Sequence, residues 1–273
     1  MVMDVGISTR CFGTALLTLD RLERLRRAEF TQIELHASLP GLNYTNRSVT
    51  RDIARWFREN ELPAPSMHLP FEKNVLASSK FERQTALDEL KRCLEFNDLL
   101  PLRFVVLHLG EPHQEFNPVG LEYAYAAVAT VQSFSGARVL LETLPGDIAT
   151  FARIEDFRAA AQLPDVGICY DTGHGEIDGA CDAIHLNDNS GGSDNTDEHL
   201  WPFDGARNWP AFVERLSLSS FTGSATLESG DDRLDKASDC RSRLKDLLAE
   251  AANSIEEFRL KYKLPIPRPE EER

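Results

Sequence analysis

Apolar positions along the chain fall into two alternating patterns. Short, mostly apolar runs rich in Val, Ile and Leu are separated by longer segments in which apolar residues return every three to four positions. The short runs predict strands at Val2–Ser8, Thr31–His36, Ala64–Leu69, Arg103–Leu109, Arg138–Glu142, Val166–Asp171, Ala183–Asn187 and Gly223–Glu228. The longer segments predict helices at Leu17–Ala28, Ser48–Asn60, Ser79–Asn97, Gly120–Ser133, Ile154–Ala161, Trp209–Leu216 and Leu234–Lys261. Strands that are apolar throughout are buried on both faces, as in a parallel sheet covered by helices. Eight strand–helix units of this kind predict an α/β fold of the (β/α)8 TIM-barrel type.

Two stretches break the rhythm. Between Asp171 and His185 there are too few residues for a crossover helix, so the helix after the sixth strand is shortened or missing. The last helix is unusually long; a break is expected near Ala251-Ala252-Asn253, and the helix could lie across the barrel floor or against a partner subunit, as in a homodimer. No linker or shift of composition divides residues 1–263, which read as one domain, and LPIPRPEEER at 264–273 reads as a Pro-rich charged tail.

Composition sets the class without choosing the chemistry. A hydrophobic fraction of 42% and a charged fraction of 27% are those of an ordinary globular protein. No apolar run reaches the roughly 18 residues of a membrane span, and MVMDVGIST carries an acid where a secretory signal carries basic residues, so a cytoplasmic location and no membrane partner are expected. Five scattered cysteines without CxxC spacing read as reduced thiols rather than a disulfide framework or thiolate zinc site. The formal net charge is -14, and the densest basic stretch, Arg21–Arg27, has the spacing of one exposed helix face. A duplex nucleic-acid partner is therefore not expected.

The candidate chemistry lies at the strand ends. Each predicted strand after the first closes on a side chain able to bind metal or move a proton: Glu34 or His36, His68, His108, Glu142, Asp171, His185 and Glu228. In a barrel these tips share one mouth, and so many buried acids and imidazoles there call for a cation. The stretch from Asp171 to Gly205 is densest, with Asp171, His174, His185, Asp188, Asp197 and His199, including three of the 7 histidines. Three carboxylates and one imidazole, Glu142, Asp171, His185 and Glu228, form a donor set suited to Zn, Mn or Co with positions left open for substrate oxygens. His68, His108, His174, Asp197 and His199 either extend the site to further ions or orient the first ligands. There is no nucleophile elbow, dinucleotide fingerprint or Walker lysine loop; Cys169 reads as core and His113 as a loop residue near the mouth.

The segments SMHLPF, VVLHLG, LLETLPG, CYDTGHG, IHLNDN and DEHLWPFDG together resemble the xylose isomerase-like, or AP endonuclease family 2, superfamily of TIM barrels, from GIST at the first strand to TLES at the eighth. In its sugar isomerase and epimerase branch the resemblance implies metal ligands at Glu142, Asp171, His185 and Glu228, with Glu142 and Glu228 doubling as acid and base. In its apurinic-endonuclease branch it implies a trinuclear zinc cluster on His68, His108, Glu142, Asp171, His174, His185, Asp197, His199 and Glu228. IELHASLPG resembles the isomerase branch, and a rim bearing Asp194, Asp197, Glu198 and Asp204 would repel a phosphate backbone. The expected activity is thus a divalent-metal-dependent isomerase or epimerase acting on a sugar, sugar phosphate or related polyol through a metal-stabilised enediolate. Trp201 and Phe71 would form an apolar wall for this small-molecule substrate. The alternatives are a zinc-dependent phosphodiesterase or apurinic-site endonuclease, and a related sugar-acid dehydratase.

Overall fold

Eight parallel strands close on themselves in chain order, each paired to its sequence neighbours and β8 back to β1. They are β1 Val5–Ser8, β2 Ile33–His36, β3 Ser66–His68, β4 Phe104–Leu107, β5 Arg138–Glu142, β6 Gly167–Asp171, β7 Ala183–Leu186 and β8 Ser224–Leu227. The helices are α1 Leu19–Arg27, α2 Arg47–Glu59, α3 Lys80–Leu94, α4 Pro118–Ser135, α5 Phe151–Ala161, α6 Trp209–Leu218 and α7 Leu234–Tyr262. This computed structural model describes residues 4–262 except 71, 78, 112–117, 147–148, 192–196 and 220. The 264–273 tail, Phe71, His113 and Asp194 therefore lie outside the described residues.

Local chemistry explains where the helices begin. Thr18, Asn46, Ser79, Thr150 and Asn208 each stand at an N-cap, and each side chain accepts a backbone N–H of the first turn. Successive strand residues point to opposite faces, so one set fills the barrel and the other meets the helices. Ile7, Leu35, Met67, Val105, Leu141, Ile168, Ile184 and Ala225 belong to the large cluster between strands and helices. Phe104, Val106, Leu140, Cys169 and Ala183 form a separate cluster, which strand alternation places inside the barrel.

The expected irregularity after the sixth strand is present. β6 is followed only by the 3-10 turn Thr172–His174 before the chain enters β7. The expectation for the last helix needs correction. α7 runs unbroken through Ala251-Ala252-Asn253, because Ala is the strongest helix former and a single Asn costs only fractions of a kcal/mol. It also sits beside the barrel wall rather than across the floor. Cys240 donates to Pro202 O at 3.2 Å, Lys236 pairs with Asp204 at 2.6 Å, and Arg241 donates to Glu29 O at 2.6 Å and stacks over Phe30. These contacts put α7 between the loop preceding α6 and the end of α1, closing the ring of helices.

Candidate metal centre

The strand tips converge as their register requires. Glu142 ends β5, Asp171 ends β6, His185 lies in β7 and Glu228 directly follows β8. One ligand atom from each of these four lies within 4.8 Å of the other three, and none of the residues is more than 1% exposed. Glu142 is the hub. Its Oε2 lies 2.9 Å from His68 Nε2 and 3.0 Å from His108 Nε2, while Oε1 lies 3.2 Å from His185 Nδ1. Glu228 Oε2 approaches the same Nδ1 at 2.9 Å, and Arg10 reaches Glu228 Oε1 at 3.5 Å.

A second group forms at the outer side. Asp197 Oδ2 lies 3.2 Å from His174 Nε2 and 2.9 Å from His199 Nε2. His174 Nδ1 sits 2.6 Å from Thr143 O, so this nitrogen is the N–H donor and Nε2 faces Asp197. Thr143 also accepts the Asp171 N–H at 2.9 Å, and Asn187 donates to Asp171 Oδ2 at 2.7 Å, which fixes the Asp171 carboxylate. The nine candidate ligands thus fall into contiguous groups: His68, His108 and Glu142; the four-residue set around His185; and His174, Asp197 and His199.

The electrostatics show how strongly these charges depend on one another. Burial opposes a charged His185, yet the acidic groups around it, Cys169, Glu228, Glu34 and Glu142, lift it well above the usual imidazole range. Burial likewise opposes a charged His174, but Asp171, Asp197 and Glu142 raise it to about 10. Burial would push Glu142 and Glu228 up, but His185 and its neighbouring cations hold both well below the usual carboxylate range. Asp171 moves the other way, raised by burial and by the nearby Glu142 and Glu228. His36 and His108 are lowered, chiefly by burial.

The donor set fits a divalent cation. Neither oxygen of the buried Glu228 accepts a well-aligned hydrogen bond, although His185 Nδ1 and Arg10 stand near it, and a buried carboxylate so placed is stabilised by a further cation. Three oxygens and one imidazole nitrogen are donors that Zn, Mn and Co accept.

Some residues differ from their sequence reading. Asp188, one of the acids in the dense Asp171–Gly205 stretch, does not face the metal-capable group. Its carboxylate accepts the N–H groups of Asn189, Phe203 and Arg207 and the Trp209 indole at 2.8–3.2 Å. It organises the loop after β7, where a Cβ on Gly205 would collide with Asn189 O and with Asp188 itself. Trp201 is 1% exposed within the large core cluster. Arg10, Thr143 and Asn187 escape the sequence reading, although each follows a strand tip by one or two residues. Extending the strand-end rule by two residues finds them. Glu34, grouped with His36 as a tip, lies one layer deeper in the barrel.

Beside His174 a cavity of about 370 Å³ opens, with Gly173, Asn189, Glu198 and Arg207 among its lining residues. Arg207 donates to Thr172 O and Gly175 O, tying the loop after β7 to the turn after β6.

Together these features define a (β/α)8 barrel with a metal-capable mouth. The chain belongs to the xylose isomerase-like TIM barrel family, which matches residues 22–258. A D-tagatose 3-epimerase-like protein is similar over 93% of this chain and 100% of that one, at 19% identity and a TM-score of 0.73. The structure of L-ribulose 3-epimerase is similar over 98% and 100%, at 17% identity and a TM-score of 0.76. A protein from Thermus thermophilus, soaked with ZnCl2, is similar over 91% and 99%, at 22% identity and a TM-score of 0.68. These likenesses establish the fold. Among curated proteins, "Uncharacterized protein y4fM" of Sinorhizobium fredii (strain NBRC 101917 / NGR234) is 25% identical over 186 residues, 59% of this chain. The chain spans 58% of the length of that relative. Among the described residues no helix is long and apolar enough to cross a membrane.

Proposed function

We propose that this protein is a divalent-metal-dependent isomerase or epimerase of a small polyhydroxylated carbonyl compound. The observation that carries this reading is the placement of Glu142 and Glu228. Both belong to the four-residue ligand group, both are buried, and both face His185 Nδ1, at 3.2 and 2.9 Å. Glu142, Asp171, His185 and Glu228 would hold the ion, which supplies a positive charge for adjacent carbonyl and hydroxyl oxygens as a proton leaves the neighbouring carbon.

The chain's own residues do the rest. Glu142 and Glu228 come from strands three apart in the ring, so one carboxylate takes the proton and the other returns it to the opposite face. His174, which lines the 370 Å³ cavity, and Asp197, 3.2 Å from its Nε2, bind substrate hydroxyls. That volume lies within the roughly 300–1,000 Å³ range of small-molecule sites. The similarity to a D-tagatose 3-epimerase-like protein and to L-ribulose 3-epimerase supports this substrate class, and the ZnCl2-soaked relative supports a zinc-compatible site.

The test is deuterium exchange. The protein, loaded with Zn, Mn or Co in turn, is incubated with ketoses and ketose phosphates in D2O, and exchange beside the carbonyl is followed by NMR. Glu142→Gln and Glu228→Gln should each lower exchange by about 10²–10⁴-fold. Full exchange and full metal content in both variants would overturn the acid–base assignment.

A second reading rests on a separate observation. His68, His108 and Glu142 form one further metal-capable group, and His174, Asp197 and His199 another. A phosphodiesterase using several zinc ions would require both. Close to three zinc ions per chain by elemental analysis, with cleavage of abasic duplex and no exchange on any ketose, would establish it in place of the first.

A further inference from the structure

Glu34 is a buried acid that neither reading uses. It sits in β2, two residues before the strand's mouth end, and is 1% exposed. Alternation along β2 turns Ile33 and Leu35 toward the helices and Glu34 into the barrel. There its Oε1 lies 3.2 Å and its Oε2 3.4 Å from His185 Nε2. Ser66, its direct register partner on β3, donates to Oε2 at 3.0 Å and sets the carboxylate's orientation. The opposite ring nitrogen, Nδ1, faces Glu142 and Glu228. His185 is therefore clamped with one nitrogen toward the metal-capable group and the other toward a carboxylate behind it.

Resting on the metal site argued above, we propose that Glu34 is the positioning residue of that site. It accepts the Nε2–H of His185, fixes the tautomer, and presents Nδ1 with a free lone pair to the ion held with Glu142, Asp171 and Glu228. A neutral imidazole offers one N–H and one lone pair, so the hydrogen bond at one nitrogen decides which atom is left to bind. A carboxylate behind the ring also increases the electron density at the ligating nitrogen. A buried acid this deep is costly without partners, and Ser66 and His185 supply them. The polar side of the barrel beneath it, with Ser66, Ser224 and Thr226 lining a cavity of about 330 Å³, gives Glu34 a less apolar setting than the opposite side would.

The test uses the full chain stripped of metal, with zinc affinity measured by competition against a chromogenic chelator. Glu34→Ala should weaken zinc binding by about 10–100-fold, the range for losing such a partner. Glu34→Gln keeps the shape and an acceptor oxygen but loses the charge, so it should fall between wild type and Glu34→Ala. It also keeps the test sound if the Ala variant folds poorly. In the zinc-loaded protein, ¹⁵N NMR of the His185 ring should show zinc on Nδ1 and the proton on Nε2. Glu34→Ala should broaden or shift the Nε2–H signal, an effect a purely structural role would not produce. Wild-type affinity in both variants, or zinc on Nε2 in the wild type, overturns the proposal while leaving the metal site standing. A wild-type chain that takes up no divalent metal overturns both.

Discussion

The inside of the barrel has two unlike sides. Along β4 to β7 the inward residues below the mouth are Phe104, Val106, Leu140, Cys169 and Ala183, a dry cluster separate from the main core. Along β8, β1, β2 and β3 the corresponding residues are Ser224, Thr226, Gly6, Ser8, Glu34 and Ser66, and a cavity of about 330 Å³ adjoins Ser66, Ser224 and Thr226. One side resembles a packed hydrocarbon plug; the other leaves room and polar partners enough for water. The difference shows how the site is supported. Glu142 and Asp171 stand over the plug and take their polar contacts at the level of the mouth, whereas His185 is reached from below by Glu34.

The largest expected effect breaks the dry side. Phe104→Ala, at a side chain 7% exposed, should destabilise by about 3–5 kcal/mol in urea titrations. Thr226→Ala on the polar side should cost well under half of that. Equal costs would mean the two sides are packed alike. Next in size is Asp188→Ala, which strips the acceptor from three backbone N–H groups and one indole. About 2–3 kcal/mol should be lost, since buried donors left without an acceptor bear the full desolvation cost. Metal stoichiometry should not change. A drop in bound metal would place Asp188 among the ligands after all.

The pH dependence of the metal-free protein sharpens the contrast between the mouth and the interior beneath it. His174 is raised to about 10 because Asp171, Asp197 and Glu142 outweigh the effect of burial. Its folded value exceeds the unfolded value of about 6.5, so its stabilising contribution is complete below about pH 6.5 and fades as pH rises toward 10. The melting temperature of wild type should therefore exceed that of His174→Gln by a few degrees at pH 6, about 1–2 kcal/mol, and the gap should close toward pH 10. A gap that widens with pH would reverse the assigned sign. Zinc held by Glu142 and Asp171 should weaken this pH dependence, because the cation neutralises two of the carboxylates that favour the His174 proton.

Nearly all of the barrel is legible in the sequence, because continuous apolar strands and three-to-four spacing report burial directly. Arg138–Glu142 is read to the residue, and the missing helix after β6 follows from simple length. The strand-end rule also places Glu142, Asp171, His185 and Glu228 together. It fails where depth matters. Glu34 and His36 look equivalent, but two residues along a strand separate the mouth from the layer beneath it. Asp188 looks like a ligand because composition counts acids without showing which N–H groups turn toward them. The unbroken course of α7 escapes the sequence because length alone suggests a break that Ala251 and Ala252 do not supply.

The smallest predicted effect is the most diagnostic of the polar side. Ser224 Oγ is buried without a hydrogen-bond partner and lines the 330 Å³ cavity. If the cavity is apolar in character, Ser224→Ala removes an unsatisfied hydroxyl and should stabilise the fold by up to about 1 kcal/mol. If water occupies it and bonds Oγ, the same change should cost about 0.5–1 kcal/mol. The crowding of Ser66, Thr226 and Arg103 around the same space favours the second outcome. A small loss on Ser224→Ala, together with no loss of zinc affinity, is therefore expected. A gain in stability would mean that Glu34 works against a dry wall, and that Ser66 alone sets its orientation toward His185.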